Sequence, residues 1–247
     1  MMIKRIKKKI FEKFFNEFKQ KPILNTKHAD YTSDEIKIID EVSELTMTNS
    51  ERIVSLIRAV KYIEKHKIPG DIVECGVWRG GSIMAILKTL ISLKSFDRNI
   101  YLYDTFEGMS EPSLNDLSFK GESALKFYSE NEEYCFSSLD EVKRNVQSLG
   151  YPVDKIHYIK GKVENTIPGI VIAKEIALLR LDTDWYESTL HELNHLFPRL
   201  SLGGAIIIDD YGHWQGCKKA VDEYLSANKV QLFLSRIDYT CRIGIKN

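Results

Sequence analysis

The chain has 247 residues, 43% of them hydrophobic, and its 35 basic and 35 acidic side chains cancel to a formal net charge of zero. That length suits one large α/β domain with extra segments. The balanced charge gives no reason to expect a nucleic-acid partner, and the lack of any run of about 18 apolar residues excludes a membrane-spanning helix. Cys75, Cys135, Cys217 and Cys241 are too scattered for a CxxC site or a zinc ribbon. Sparse cysteine in a chain able to bury a full core points to the reducing cytoplasm.

In chain order, the first element is a basic amphipathic helix in "MMIKRIKKKIFEKFFNEFKQK". Ile3, Ile6, Ile10, Phe14 and Phe18 share one face, and Lys4, Arg5, Lys7, Lys8, Lys9 and Lys13 occupy the others. Such a helix either lies on an anionic membrane or docks on the domain or a second subunit. Residues 22–48 read as a linker with short helices, so that 1–48 precede a domain over 49–247. Ser50 is placed to cap a helix carrying Ile53, Leu56, Ile57, Val60 and Ile63, closed by Pro69-Gly70.

Strands and helices then alternate. "DIVECGV" (71–77), "IYLYDT" (100–105), "IHYIKG" (156–161), "IALLRLD" (176–182) and "GAIIIDD" (204–210) read as buried strands. Continuous apolar strands separated by helices predict an α/β fold with a parallel sheet covered on both faces. The tail "VQLFLSRIDYTCRIGI" predicts a hairpin at the sheet edge. The stretch 107–138 is too long for an ordinary connection and reads as a lid or substrate loop.

Ligands of open parallel sheets bind beyond the carboxyl ends of the strands, so the strand ends carry the functional reading. The first ends in "ECGVWRGGS", a Gly-rich turn opening a helix, in which Gly76, Gly80 and Gly81 let the backbone approach a ligand. Its spacing is not the dinucleotide GxGxxG. The second ends in Asp104, placed to accept from ribose hydroxyls, 28 residues after Gly76. The fourth and fifth end in Asp182, with Asp184 beyond it, and in Asp209-Asp210. Neighbouring strands lie about 4.8 Å apart, so four carboxylates would crowd one rim. A hard divalent cation, Mg²⁺, Mn²⁺ or Ca²⁺, would relieve that crowding.

"HELNH" (191–195) matches the zinc-protease pattern HExxH. The helical wheel argues against zinc. Leu190, Leu193, Leu196, Phe197 and Leu200 form the apolar face, His191 and His195 point nearly opposite, and no third ligand presents itself.

The blocks "GDIVECGVWRGGS", "YLYDTFEGM", "IALLRLDTDWYESTLHEL" and "GGAIIIDDYGHWQGCKKAVDEYL" resemble the macrocin O-methyltransferase family over about residues 48–224. These are metal-dependent enzymes that use S-adenosylmethionine to methylate sugar hydroxyls of macrolide and aminocoumarin antibiotics. The resemblance implies the class I methyltransferase fold, a Rossmann-like sheet of seven strands with the last antiparallel. It implies that Glu74, Gly76 and Ser82 hold the methionine end of S-adenosylmethionine, that Asp104 accepts from its ribose, and that Thr105 and Phe106 flank the adenosine. Lys162 and Val163 would lie near the adenine, and Thr48 and Arg52 would close over the cofactor. Asp182, Asp209 and Asp210 would ligate Mg²⁺ and Asp184 would be the general base, with Trp185 and Tyr186 walling the acceptor pocket.

The reading is therefore a Mg²⁺-dependent O-methyltransferase acting on a sugar hydroxyl of a natural-product glycoside or polysaccharide precursor. The alternative is a non-catalytic nucleotide- or cation-binding module of the same fold. A degenerate module is expected to have lost at least one of the four aspartates. A dinucleotide oxidoreductase is disfavoured by the missing GxGxxG. The expected partners are a small-molecule or saccharide substrate and a second copy of the chain, in the cytoplasm, with peripheral membrane contact through residues 1–21 as the open question. Liposome co-sedimentation with and without residues 1–21 separates the two uses of that helix. Loss of pelleting on truncation marks the membrane reading, and equal pelleting ends it.

Overall fold

The apolar runs become the middle of a seven-stranded sheet. The computed structural model describes residues 28–130, 135–169 and 173–247, so the helix read over residues 1–21 lies outside the described residues. The strands are β1 (Asp71–Cys75), β2 (Ile100–Asp104), β3 (Ile156–Lys160), β4 (Ile176–Leu181), β5 (Leu200–Ile208), β6 (Ser235–Arg236) and β7 (Arg242–Ile245). Their order is β3-β2-β1-β4-β5-β7-β6. β1 to β5 are parallel, and β7 runs antiparallel along β5 with β6 outside it. The tail is thus an edge hairpin, and the sheet is the class I methyltransferase arrangement.

Side chains alternate faces along each strand. Ile72, Leu102, Leu178 and Ile207 join one core cluster, and Val73, Tyr103, Leu179 and Ile206 join the other. The first cluster is closed by α1 (Ser33–Val42), α2 (Ser50–Lys65), α3 (Gly81–Ser92) and, beyond the short α4 (Ala124–Glu130), α5 (Leu139–Gln147). The second is closed by α6 (Val163–Thr166), α7 (Tyr186–Leu196) and α8 (Gln215–Ala227). Burying each such aliphatic side chain contributes about 1.5–3 kcal/mol.

Two helix starts refine the sequence reading. α2 is capped by Asn49, whose side chain accepts from Arg52 N, and Ser50 is its first residue. α1, from the stretch read as linker and short helices, has a full capping box between Thr32 and Glu35 and buries Ile38, Ile39 and Val42 in the core. No helix among the described residues is long and apolar enough to cross a membrane.

The chain reverses its direction of travel across the sheet between β1 and β4, which opens a crevice at their carboxyl ends. There the Asp182 N–H donates to Cys75 O at 2.9 Å, and the next residue on β1, Gly76, takes φ +82°. A Cβ at Gly76 would fall inside van der Waals contact of the Asp182 carbonyl oxygen. The Gly-rich turn and the aspartate loop therefore touch backbone to backbone.

The first part of the stretch read as a lid, around residues 110–118, lies over the same rim and is fastened there. Trp185 Nε1 donates to Ser110 O at 2.8 Å, Gln215 N to Leu117 O at 2.8 Å, and Tyr186 N to Asp116 Oδ1 at 2.8 Å. Asp116 is fully buried, and its carboxylate satisfies the first N–H of α7 from outside the helix.

Gly76→Ala meets both a positive φ and a backbone clash, so it is expected to destabilise the fold by at least about 2 kcal/mol. For a domain of this size that is a fall in melting temperature of about 5 °C or more, readable by calorimetry.

Candidate active site

The crevice is an open cleft at the carboxyl ends of the strands, where ligands of such sheets bind. Gly76, Asp104, Thr105, Lys162 and Val163 line it at one end, as the sequence predicts, and Asp182, Asp184 and Trp185 line it at the other. Asp104 is held by backbone donors. Its Oδ2 accepts from Val77 N (2.6 Å) and Trp78 N (3.0 Å), and its Oδ1 accepts from Phe106 N (2.6 Å). Those bonds clamp the Gly-rich turn to the end of β2. Burial raises the Asp104 pKa, against the pull of these bonds.

Five further residues expected at the cofactor, Thr48, Arg52, Glu74, Ser82 and Phe106, are not among those that line the cleft. The Phe106 ring is buried in the core, because the residue turns at φ +52° with its N–H donating back to Asp104. Ser82 is buried in the first turn of α3. Thr48 accepts from Arg180 Nη2 at 3.1 Å, and Glu74 Oε1 accepts from Arg180 Nη1 at 2.6 Å. Arg52 bridges Asp209 (2.6 Å) and Asp238 (2.7 Å). Tyr186, expected to wall the acceptor pocket, donates from its hydroxyl to Glu223 on α8, whereas Trp185 does border the cleft.

Arg180 is the group that sequence reading missed. It is the penultimate residue of β4, 2% exposed. Its Nη1 donates to Glu74 Oε1 and to Asp182 Oδ2 (2.7 Å), and its Nη2 donates to Asp209 Oδ1 (2.8 Å). An arginine inside the otherwise apolar run "IALLRLD" was the available signal, since a buried charge must be paired. Glu74 keeps one oxygen, Oε2, buried and without a hydrogen-bond partner. Burial, partly offset by Arg180, brings its pKa to about 7.

The four rim aspartates divide. One oxygen each of Asp182, Asp184 and Asp210 lies within 4.8 Å of the others, a grouping able to hold a metal ion. Asp209 does not join them. Strand-end side chains alternate faces, and its two oxygens are taken by Arg52 and Arg180. Burial alone would raise the Asp209 pKa, but the two guanidiniums outweigh it and hold the carboxyl below its usual range. Burial, reinforced by Asp184, drives Asp210 well above its usual range, and its Oδ2 is buried with no hydrogen-bond partner. Asp184 adopts φ +66°, and burial, with the charges on Asp182 and Asp209 added, lifts its pKa to about 7. A strained backbone and crowded carboxylates at a cleft are marks of a functional site.

The HELNH helix serves the same loop from behind. His191 Nε2 meets Ile167 O at 2.8 Å, and neither His191 nor His195 belongs to a metal-capable group among the described residues. Glu192 is fully buried and accepts from Thr183 Oγ1 at 3.1 and 3.2 Å. It thus braces the residue between Asp182 and Asp184. Glu164 also escaped sequence reading. It lines the cleft beside Val163, accepts from Ser188 Oγ at 2.6 Å, and leaves Oε2 buried without a partner.

A doubly wound sheet with its last strand reversed and a cleft at the switch point defines a methyltransferase of class I. The fold matches the solved structure of the O-methyltransferase NovP with a TM-score of 0.74, at 29% identity over 82% of each chain. The macrocin-O-methyltransferase (TylF) family model matches residues 2–243, and the chain belongs to that family of S-adenosylmethionine-dependent O-methyltransferases. It is 33% identical to the demethyldecarbamoylnovobiocin O-methyltransferase of Streptomyces niveus, over 72% of this chain and 67% of that one. It is 34% identical to a Streptomyces olivaceus enzyme named as a 4'-O-methyltransferase of a rhamnosyl tetracenomycin, over 79% of this chain and 73% of that one.

Removing Arg180 strands Glu74, Asp182 and Asp209 without their counterion. Arg180→Met is expected to cost about 3–5 kcal/mol at pH 7. Protonation of the stranded carboxylates relieves their repulsion, so the deficit should shrink as pH falls toward 5. Urea unfolding at both pH values measures it, and a pH-independent deficit would assign the loss to packing instead.

Proposed function

We propose that this chain transfers the methyl group of S-adenosylmethionine to one hydroxyl of a vicinal-diol sugar, on a glycosylated natural product or polysaccharide precursor, with Mg²⁺ as the bound ion. The observation that carries the reading is the convergence of Asp182, Asp184 and Asp210 at one end of a cleft whose other end is the Gly76 turn and Asp104. The donor set fits the ion. It is all oxygen, it is crowded with negative charge, and it includes a buried acceptor with no partner, Asp210 Oδ2. Mn²⁺ or Ca²⁺ would be substitutes. The cleft fits the cofactor in the same way, because Glu74 Oε2 and Glu164 Oε2 are unpartnered buried acceptors for its cationic amine and its adenine amine.

In this reading Asp182 and Asp210 hold the ion. Asp209, drawn off by Arg52 and Arg180, fixes the loop and contributes charge, and it can reach the ion only by releasing Arg52. Bound there, a divalent ion supplies Lewis-acid lowering of the pKa of a chelated hydroxyl. Asp184 takes the hydroxyl proton. When bound, S-adenosylmethionine would supply an activated methyl group on a sulfonium, and Gly76 and Asp104 would hold it in line with that hydroxyl. Trp185 and the fastened insertion keep water from the reacting line.

Asp184→Asn should bind S-adenosylhomocysteine and Mn²⁺ as before, the latter read by electron paramagnetic resonance, and lose turnover by about 10²–10⁴-fold. Asp210→Ala should lose Mn²⁺ binding itself. Full turnover in Asp184→Asn, or wild-type Mn²⁺ affinity in Asp210→Ala, removes the corresponding role.

A further inference from the structure

The sheet order sets out stations along one rim. The ends of β1, β2 and β3 carry Gly76, Asp104 and Lys162, and the ends of β4 and β5 carry Asp182 and Asp210. The next strand is β7, whose first residue, Arg242, pairs with Ile208 at the end of β5. The turn between β6 and β7 therefore stands beside the carboxylates on the side away from the cofactor end, and it carries Tyr239. Two other segments reach the same place. His213 N and Trp214 N donate to Asp210 O, both at 3.0 Å, so His213 lies one turn from the aspartate. Ser118 forms an isolated bridge with Trp214 and accepts from Gln215 Nε2 at 2.8 Å, which brings Phe119 of the insertion alongside.

We propose that Phe119, His213 and Tyr239 form an aromatic shelf that seats the ring attached to the methylated sugar of a glycoside acceptor; the inference rests on the glycoside reading above. The three rings form a triangle, with centroids 5.6 Å (Phe119–His213), 6.1 Å (Phe119–Tyr239) and 6.0 Å (His213–Tyr239) apart. The Tyr239 hydroxyl and His213 Nδ1 lie 3.2 Å apart. Phe119 is 54% and Tyr239 44% exposed. Aromatic side chains from three distant segments gathered at the surface beside a catalytic rim mark a ligand contact, not a core.

The identity of the occupant follows from position. A diol engaged at Asp182 and Asp210 places the methylated sugar over the carboxylates. What lies one station further along the rim is whatever that sugar is joined to through its glycosidic bond. A flat ring with C–H edges or an aromatic face packs well on such rings. Trp185 and Trp214, 5.0 Å apart and edge to face, continue the aromatic wall from the cleft to the shelf.

The probes are methyl α-L-rhamnopyranoside, which has no second ring, and 4-nitrophenyl α-L-rhamnopyranoside, which has one. Each is titrated by saturation-transfer NMR against the full chain holding S-adenosylhomocysteine and Mg²⁺, as wild type, Phe119→Ala and Tyr239→Ala. The wild type should bind the aryl glycoside more tightly than the methyl one. Each substitution should weaken the aryl glycoside about five- to tenfold and leave the methyl glycoside and S-adenosylhomocysteine unchanged. Equal affinity of the wild type for both glycosides, equal losses for both, or no loss for the aryl one overturns the shelf. A wild type that binds S-adenosylhomocysteine and neither glycoside overturns the glycoside reading itself, so the two failures are distinguishable.

Discussion

The site depends on one buried guanidinium. Register sets Glu74 of β1 beside Arg180 of β4, and Ile207 of β5 on its other side, two residues before Asp209. Arg180 is thus the common partner of carboxylates from three adjacent strands. A buried ion cluster of this kind adds little net stability over a well-packed apolar one, but it fails badly when one member is removed. What it contributes is placement. It holds Asp209 ionised and turned away from the cleft, steadies Asp182 at the edge of the cleft, and leaves Glu74 one open acceptor. Glu74 and the metal-capable end share Arg180 as a counterion, so a change in charge at one is felt at the other.

Much of this was legible in the residues. Buried parallel strands have to be continuous apolar runs, and five such runs ending in Gly-rich or acidic turns gave the sheet and its functional rim. The meeting of Asp182 with the Asp209-Asp210 pair required β4 and β5 to be neighbours, and they are, with Leu181 beside Ile208. The division of labour between Asp209 and Asp210 was legible only in part. A period of two says that one faces each way, but which one depends on Arg52, which arrives from α2. Phe106 misled because a positive φ is not written in the residue type. Arg180 is readable in the sequence as the one charge inside the apolar run of β4.

The HELNH segment acts through its buried glutamate and not through its histidines. Its spacing satisfies a metal motif, yet the helix turns the glutamate inward and leaves the histidines half-buried against the turn after α6. The buried acid is useful all the same, since it grips Thr183 and so steadies the loop that carries Asp182 and Asp184. The insertion has a similar double character. Asp116 is buried like a core residue, satisfies the first N–H of α7, and lies so close to α8 that Gly216 has no room for a Cβ. A segment that looks like a free loop in sequence is a keystone between two helices.

The pairing of Arg52 with Asp238 has a consequence for how the molecule is made. The two residues are separated by 186 positions, and Arg52 also holds Asp209, 157 positions away. On a ribosome, Arg52 emerges well before Asp209 and Asp238 do. The first strands and their helices can collapse early, while the carboxylate rim stays hydrated until the turn between β6 and β7 has been synthesised. Contacts of such long range are slow to close. The nascent chain therefore has the half of its cleft that carries Gly76 and Asp104 before it has the half that carries Asp182, Asp184 and Asp210.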